Sequence, residues 1–225
     1  MTDVYIAAEK VYLCEKEPKN MKHRMILLAA AALLCLTSLA GCAGDGNKTL
    51  SFNDVIASRR SVRSYDATKT ISEAEVRTLL AATQNAPSWA NFQPSKYYVA
   101  ISPEKVAAVQ DMVGGNKERI MGAPVLIVST FEKGKSGFFR GEQTNELGDF
   151  WGAYDNGLSN AYLILTARAM GFDTLIMGMR DASALRTLFQ IPAEEMVTAV
   201  IALGYRAEEP NQPKHRDFDE IVKFF

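Results

Sequence analysis

Ala86-Pro87-Ser88-Trp89-Ala90-Asn91-Phe92-Gln93-Pro94 separates a helical pattern from a strand pattern, and its reading decides the fold. The loop concentrates amide, hydroxyl and aromatic groups. Asn and Gln side chains both donate and accept, which suits a flat ring system bearing carbonyls and ring nitrogens. Taken alone, the same stretch reads equally well as a turn with a packed Trp89.

Working outward, Ser72 and Glu75 form a capping box ahead of Val76, Leu79 and Leu80, which line one helix face up to the break at Asn85-Ala86-Pro87. After the loop, residues 96–101 read as a strand, and Ser102-Pro103 opens a helix with Val106, Val109 and Val113 on one side. Further upstream, Ser51 caps a helix carrying Phe52, Val55 and Ile56 at i, i+3, i+4, with Asp54 at its positive end. Val125, Leu126, Ile127 and Val128 read as a buried strand. The longest helix is expected over about residues 150–170, stopped by Gly171, with a strand at 174–177 after it. Asp181 or Ser183 caps another short helix ending before Pro192, and 197–203 is a last apolar strand. This alternation predicts one three-layer α+β domain over 51–225, built on a central mixed sheet flanked by helices.

Composition narrows the chemistry. Lys+Arg number 25 and Asp+Glu 26, so no global field draws the chain to nucleic acid, and no nucleic-acid partner is expected. The three cysteines, Cys14, Cys35 and Cys42, all precede the main body, and of the two histidines only His215 lies within it. A Cys nucleophile, a disulfide framework and a thiolate metal site are thereby excluded from 51–225, and no metal is expected. Such chemistry as there is belongs to a bound cofactor, with no catalytic side chain.

Two cation clusters answer that expectation. Arg59-Arg60-Ser61-Val62-Arg63 supplies three guanidinium groups and a hydroxyl within five residues, a set that matches phosphate oxygens. Pro213-Lys214-His215-Arg216 adds two more cations near the end. Each alone reads as a solvated basic stretch.

In this order, Arg-Arg-Ser-Val-Arg with Tyr65, Pro-Ser-Trp-Ala-Asn-Phe-Gln-Pro and the late Lys-x-Arg resemble the FMN-dependent nitroreductase family, over essentially all of 51–225. The resemblance extends to the helix ending at Gly171 and to Ile191-Pro192 through Gly204-Tyr205. It implies a nitroreductase-like fold whose sheet is mixed but mostly antiparallel, with FMN at a homodimer interface. It implies a ping-pong transfer of hydride from NADH or NADPH through flavin N5 to a small-molecule acceptor such as a nitroaromatic or quinone. Other readings on this fold are a reductive dehalogenase, a flavin-destroying enzyme, or a non-catalytic lipid-anchored flavin-binding protein.

Carried over residue by residue, Arg59, Arg60, Ser61 and Arg63 match the family's phosphate and ribityl ligands, and Lys214 and Arg216 its late phosphate contacts. Pro87, Ser88, Trp89, Asn91 and Gln93 match the loop that lies against the flavin of the partner subunit. Asn116 matches an asparagine that contacts the ring, and Met177 and Gly178 a pair beside it. Two positions depart from the pattern: Ser95 stands where many relatives carry tryptophan, and Met177 where some carry glutamate. The segment 134–148 is short beside the excursion that shapes the acceptor site in longer relatives, and Phe138 and Phe139 are candidates to wall that pocket.

The first fifty residues read as an address. From Met21 the chain runs MKHRMILLAAAALLCLTSLAGC, a basic flank, an apolar run too short for an ordinary membrane span, and Leu39-Ala40-Gly41-Cys42. This resembles a bacterial lipoprotein signal over 21–42, which implies lipidation at Cys42, a membrane anchor and a place in the cell envelope. The alternative is a cytoplasmic protein. Residues 1–20 have no place in such a signal and are expected to precede the true start at Met21; 43–50 reads as a tether.

Overall fold

A computed structural model describes residues 50–225; the expectations for 1–49 lie outside the described residues. The helices are α1 (Phe52–Ser58), α2 (Glu73–Ala82), α3 (Pro103–Gln110), α4 (Phe150–Ala169), α5 (Ala182–Phe189) and α6 (Phe218–Ile221). The strands are β1 (Ser95–Ala100), β2 (Val125–Glu132), β3 (Phe138–Phe139), β4 (Glu142–Gln143), β5 (Asp173–Met177) and β6 (Glu195–Gly204).

Local chemistry sets most of these boundaries. Ser72 Oγ accepts the Glu75 N–H at 3.2 Å while Glu75 Oε2 accepts the Ser72 N–H at 2.7 Å, so two orphan donors of α2 are satisfied reciprocally. The Ser72 hydroxyl, which donates to the same Oε2 at 2.6 Å, and then the Ser72 N–H favour the ionised carboxylate and lower the Glu75 pKa. Asp181, rather than Ser183, caps α5 by accepting the Ala184 N–H at 2.9 Å. Gly171, at φ 84°, takes the left-handed turn that ends α4.

The four long strands form one sheet in the order β1-β2-β6-β5, antiparallel at every pair. The parallel component of the expected mixed sheet reduces to a bridge between Ser61 and Thr174 at the β5 edge. Alternation along the central strands divides the core. Leu126 and Val128 of β2 and Val200 and Ala202 of β6 face Val106 and Val109 of α3 and Leu185 of α5. Val125 and Ile127, with Ile201 and Leu203, face Val76 and Leu79 of α2 and Leu163 and Ala167 of α4. The sheet is therefore covered on both faces, which makes the three layers.

Gly152 shows how closely α4 lies on the sheet: a Cβ there would come 2.4 Å from the Phe131 ring. The helix expected after Ser51 is present as α1, with Ser51 as its N-cap. Its Val55 is buried, while Phe52 and Ile56 are left exposed by the other described elements. The β3–β4 hairpin and α6 have no counterpart in the sequence expectations.

Candidate functional site

The arginine segment leaves α1 in extended backbone and runs beside β5. The Val62 N–H donates to Thr174 O at 3.0 Å, and Val62 enters the core. Because successive side chains of an extended chain point to opposite sides, burying Val62 turns Ser61 and Arg63 outward. Arg60 Nη1 donates to Ala57 O at 2.7 Å and Arg59 O at 2.8 Å, and Arg63 Nη1 to Ser61 O at 3.0 Å. Arg60 thus spends part of its donor set on carbonyls at the end of α1.

These residues line a cavity of about 690 Å³ with Ile56, Leu165 and the late segment at Asn211, Gln212, Pro213 and His215. The two ends of the domain do meet there. In the late segment, however, Lys214 and Arg216 are exposed and off the lining, and His215 between them reaches it.

Sequence reasoning missed the group that fixes this edge. Asp173, buried at the start of β5, accepts from Arg206 Nε at 2.8 Å and Nη2 at 2.5 Å, a bidentate pair. Arg168 Nη1 lies 3.5 Å from the same carboxylate, and its Nε donates to Ser58 Oγ at 2.9 Å. Arg206 Nη2 also reaches Ser58 O at 3.4 Å. The end of α1, and with it the entry to the arginine segment, is therefore held by α4, β5 and the chain after β6. The hydrogen bond to Asp173 pushes the Arg206 pKa further up, so its charge is permanent. No local pattern announces a pair 33 residues apart. Tyr65 stacks over Gly204, where a Cβ would meet its Cδ1 at 2.7 Å, and burial followed by the Asp173 charge pushes its hydroxyl pKa up.

The loop at 86–94 is built differently. Ala90, Asn91 and Gln93 have φ of 46°, 57° and 51°, the left-handed region that non-glycine residues rarely occupy. The Gln93 N–H donates to Ser88 Oγ at 2.9 Å and the Asn91 N–H to Ser88 O at 3.0 Å, so Ser88 ties the loop across its own base. The Trp89 N–H donates to Asp155 Oδ2 at 2.9 Å. Pro87, Ser88 and Gln93 line a second cavity, of about 540 Å³, with Arg77, Lys96 and Tyr97 among its other walls. Trp89 and Asn91 are off that lining; Trp89 packs on Trp151, with ring centroids 5.0 Å apart.

The remaining site residues stand apart from both cavities. Asn116 Oδ1 accepts from Arg119 Nη1 at 3.2 Å. The side chain of Met177 is buried in the core, so what that position offers a ligand is backbone. Gly178 is exposed, and a Cβ there would meet nothing within 4 Å. Phe138 is half-buried; Phe139 is exposed, with the Arg140 guanidinium 5.2 Å over its ring.

The arrangement can thus offer guanidinium groups and a hydroxyl to an anion at one edge, and amides and a hydroxyl to a polar ring at the other. An NAD(P)H nitroreductase by name, YdgI of Bacillus subtilis (strain 168), is 26% identical over 206 residues, covering 79% of this chain and 99% of the relative. A structure from Exiguobacterium sibiricum 255-15, described as a nitroreductase in complex with FMN, matches with TM-score 0.66 at 21% identity, over 78% of this chain and 98% of that one. A nitroreductase family protein from Streptococcus pneumoniae TIGR4 matches with TM-score 0.68 at 23% identity, over 78% and 100%. The profile described as "Nitroreductase family" matches residues 56–115 and 102–205, and this chain belongs to that family.

Proposed function

We propose that the protein is an FMN-dependent oxidoreductase that works as a homodimer. The observation that carries this is the division of the site. The arginine cavity and the loop cavity share no lining residue, although both border α4, through Leu165 in one case and Asp155 and Ser159 in the other. One chain offers a phosphate grip and a ring-facing loop in different places, and a second copy brings them together.

The donor set fits FMN. Arg59, Ser61 and Arg63 present charge-assisted donors to a dianionic phosphate, which would be costly to leave unpaired beside the apolar Ile56 and Leu165. Ser88 and Gln93 from the partner copy supply the polar contacts that orient a ring. Exposed aromatics on α4, Phe150 at 74%, Tyr154 at 59% and Tyr162 at 40%, give a second copy an apolar strip to cover. Bound FMN would supply the redox chemistry, taking hydride from NADH or NADPH and passing it to a nitroaromatic or quinone in a ping-pong cycle. The chain's own contribution is binding, orientation and a fixed field, for which no side-chain nucleophile is needed.

The test is spectroscopic. Purified protein should be yellow, should bleach on addition of NADH or NADPH under nitrogen, and should recover colour with menadione. Flavin that stays oxidised would leave a flavin-binding protein without reductase activity, and colourless protein that takes up no FMN would end the reading altogether. Light scattering should give twice the chain mass.

For residues 21–42 we propose a lipoprotein signal, with acylation at Cys42 placing the domain at a membrane of the cell envelope. The support is the order of basic flank, apolar run and Leu39-Ala40-Gly41-Cys42. Metabolic palmitate labelling lost in Cys42→Ser would bear this out; unlabelled protein in the cytoplasmic fraction would sink it.

A further inference from the structure

Trp151 and Asp155 stand one turn apart at the start of α4, four residues along the helix, and so project from one face. Asp155 Oδ2 accepts twice, from the Trp89 N–H at 2.9 Å and from the Ser136 hydroxyl at 2.6 Å. The first donor belongs to the loop at 86–94 and the second to the segment 134–148. Trp151 repeats the link. Its ring packs on that of Trp89, tilted by 56°, and its Nε1–H donates to Asn145 Oδ1 at 2.9 Å.

The surroundings leave little play. Asp155 is 3% exposed and Ser136 not at all. A Cβ at Gly137 would come 2.4 Å from Gly148 O and 2.9 Å from Trp151 Cδ1, so the hairpin segment closes directly on the tryptophan. The loop, for its part, holds three non-glycine residues in left-handed backbone, a conformation that persists only where neighbours impose it. The neighbour bonded to its Trp89 amide is Asp155.

We propose that this face of α4 is a clamp that sets the 88–93 loop and the 134–148 segment together, and that Asp155 is a positioning residue for turnover of the acceptor. Because one oxygen serves both donors, displacing either segment moves or weakens the bond to the other. On that reading the loop faces the ring, so the clamp fixes where the loop stands while an acceptor is reduced. The consequence for turnover rests on the FMN reading above; the mechanical coupling does not.

The decisive variant is Ser136→Ala, which removes a donor from 134–148 and leaves every group of the loop and of Asp155 in place. Amide hydrogen exchange is followed on the full chain without added FMN, below its melting temperature. The clamp predicts faster exchange in both 134–148 and 88–93, by about three- to tenfold, the scale of one hydrogen bond. Asp155→Asn should accelerate both segments more. Acceleration confined to 134–148 in Ser136→Ala would overturn the coupling.

On FMN-loaded protein, Asp155→Asn should raise KM for menadione by a similar factor and alter the visible circular dichroism of the flavin. A lowered melting temperature with unchanged KM and unchanged dichroism would reduce Asp155 to a structural residue and overturn the positioning role. If the wild-type chain takes up no FMN, the parent reading fails, and the exchange comparison alone decides the clamp.

Discussion

The arginine segment at 59–63 and the loop at 86–94 lie on either side of the same domain and are built by opposite means. The first carries its proposed function in residue types: extended backbone bridged to β5, with Val62 turned in and Ser61 and Arg63 turned out. The second carries it in backbone conformation, with Ala90, Asn91 and Gln93 in left-handed φ and amides tied to Ser88 and Asp155. A phosphate grip acts through charge, which tolerates some displacement, whereas a ring contact acts through placement, which does not. The difference teaches that the two halves should fail differently.

The largest effect is expected where the arginine segment is anchored. Asp173→Ala leaves Arg206 and Arg168 without their buried partner, and removal of one member of such a pair costs about 3–5 kcal/mol. Urea unfolding measures it, and a loss under 1 kcal/mol would show that this edge is held by other contacts.

Next comes the grip itself. Arg59→Ala and Arg63→Ala should each weaken FMN binding by about 1.5–3 kcal/mol, the scale of a charge-assisted hydrogen bond, with little change in folding stability. Their residual binding should also depend less on ionic strength than that of the wild type, since a screened contact has been removed. Equilibrium dialysis at two salt concentrations checks both points; an unchanged dissociation constant would return the cluster to a solvated basic stretch.

The loop should answer in the opposite sense. Ala90→Gly relieves a left-handed alanine at φ 46° and should stabilise the fold by at most about 1 kcal/mol, since glycine also loosens the unfolded chain. It should nevertheless weaken flavin binding, because the relaxed loop must be ordered on binding. Calorimetry and titration on one sample would break the comparison if both quantities moved together.

The smallest expected effect is alkaline and touches both halves through the shared sheet. Tyr98 donates to Glu195 Oε1 at 2.9 Å, and burial together with that hydrogen bond and charge pushes its pKa from 10.0 up to about 12. A raised folded-state pKa means the contribution is fully present below pH 10 and is lost as pH rises from 10 to 12. Tyr98→Phe should flatten part of that alkaline slope in a pH series of melting temperatures. An unaltered slope would assign it to Tyr65, Tyr97 and Tyr205, whose pKa values are also raised.

Much of the fold was legible because its signals are local. The capping box at Ser72, the β-branched run at 125–128 and the left-handed Gly171 each determine backbone within a few residues, and each marks an element boundary or strand observed. For α1 the periodicity of Phe52, Val55 and Ile56 reports an apolar face but not what covers it, and among the described residues only Val55 of the three is buried. The candidate site divides in the same way. Arg59, Arg60, Ser61 and Arg63 could be picked out as a cluster adjacent in sequence, and they line one cavity. That His215 rather than Lys214 or Arg216 lines that cavity depends on how the chain turns after β6, which no spacing encodes.

The sequence by itself determined the long helices and the four sheet strands, the chemical classes of the groups and the absence of cysteine from the domain, since these follow from residue identity and near neighbours. Only the tertiary structure decided which groups hold which. The pairing of Asp173 with Arg206, 33 residues away, and the meeting of Trp89 and Ser136 on one oxygen of Asp155 are long-range contacts. They arise when separate elements pack, and local pattern carries no information about which distant donor a buried carboxylate will receive.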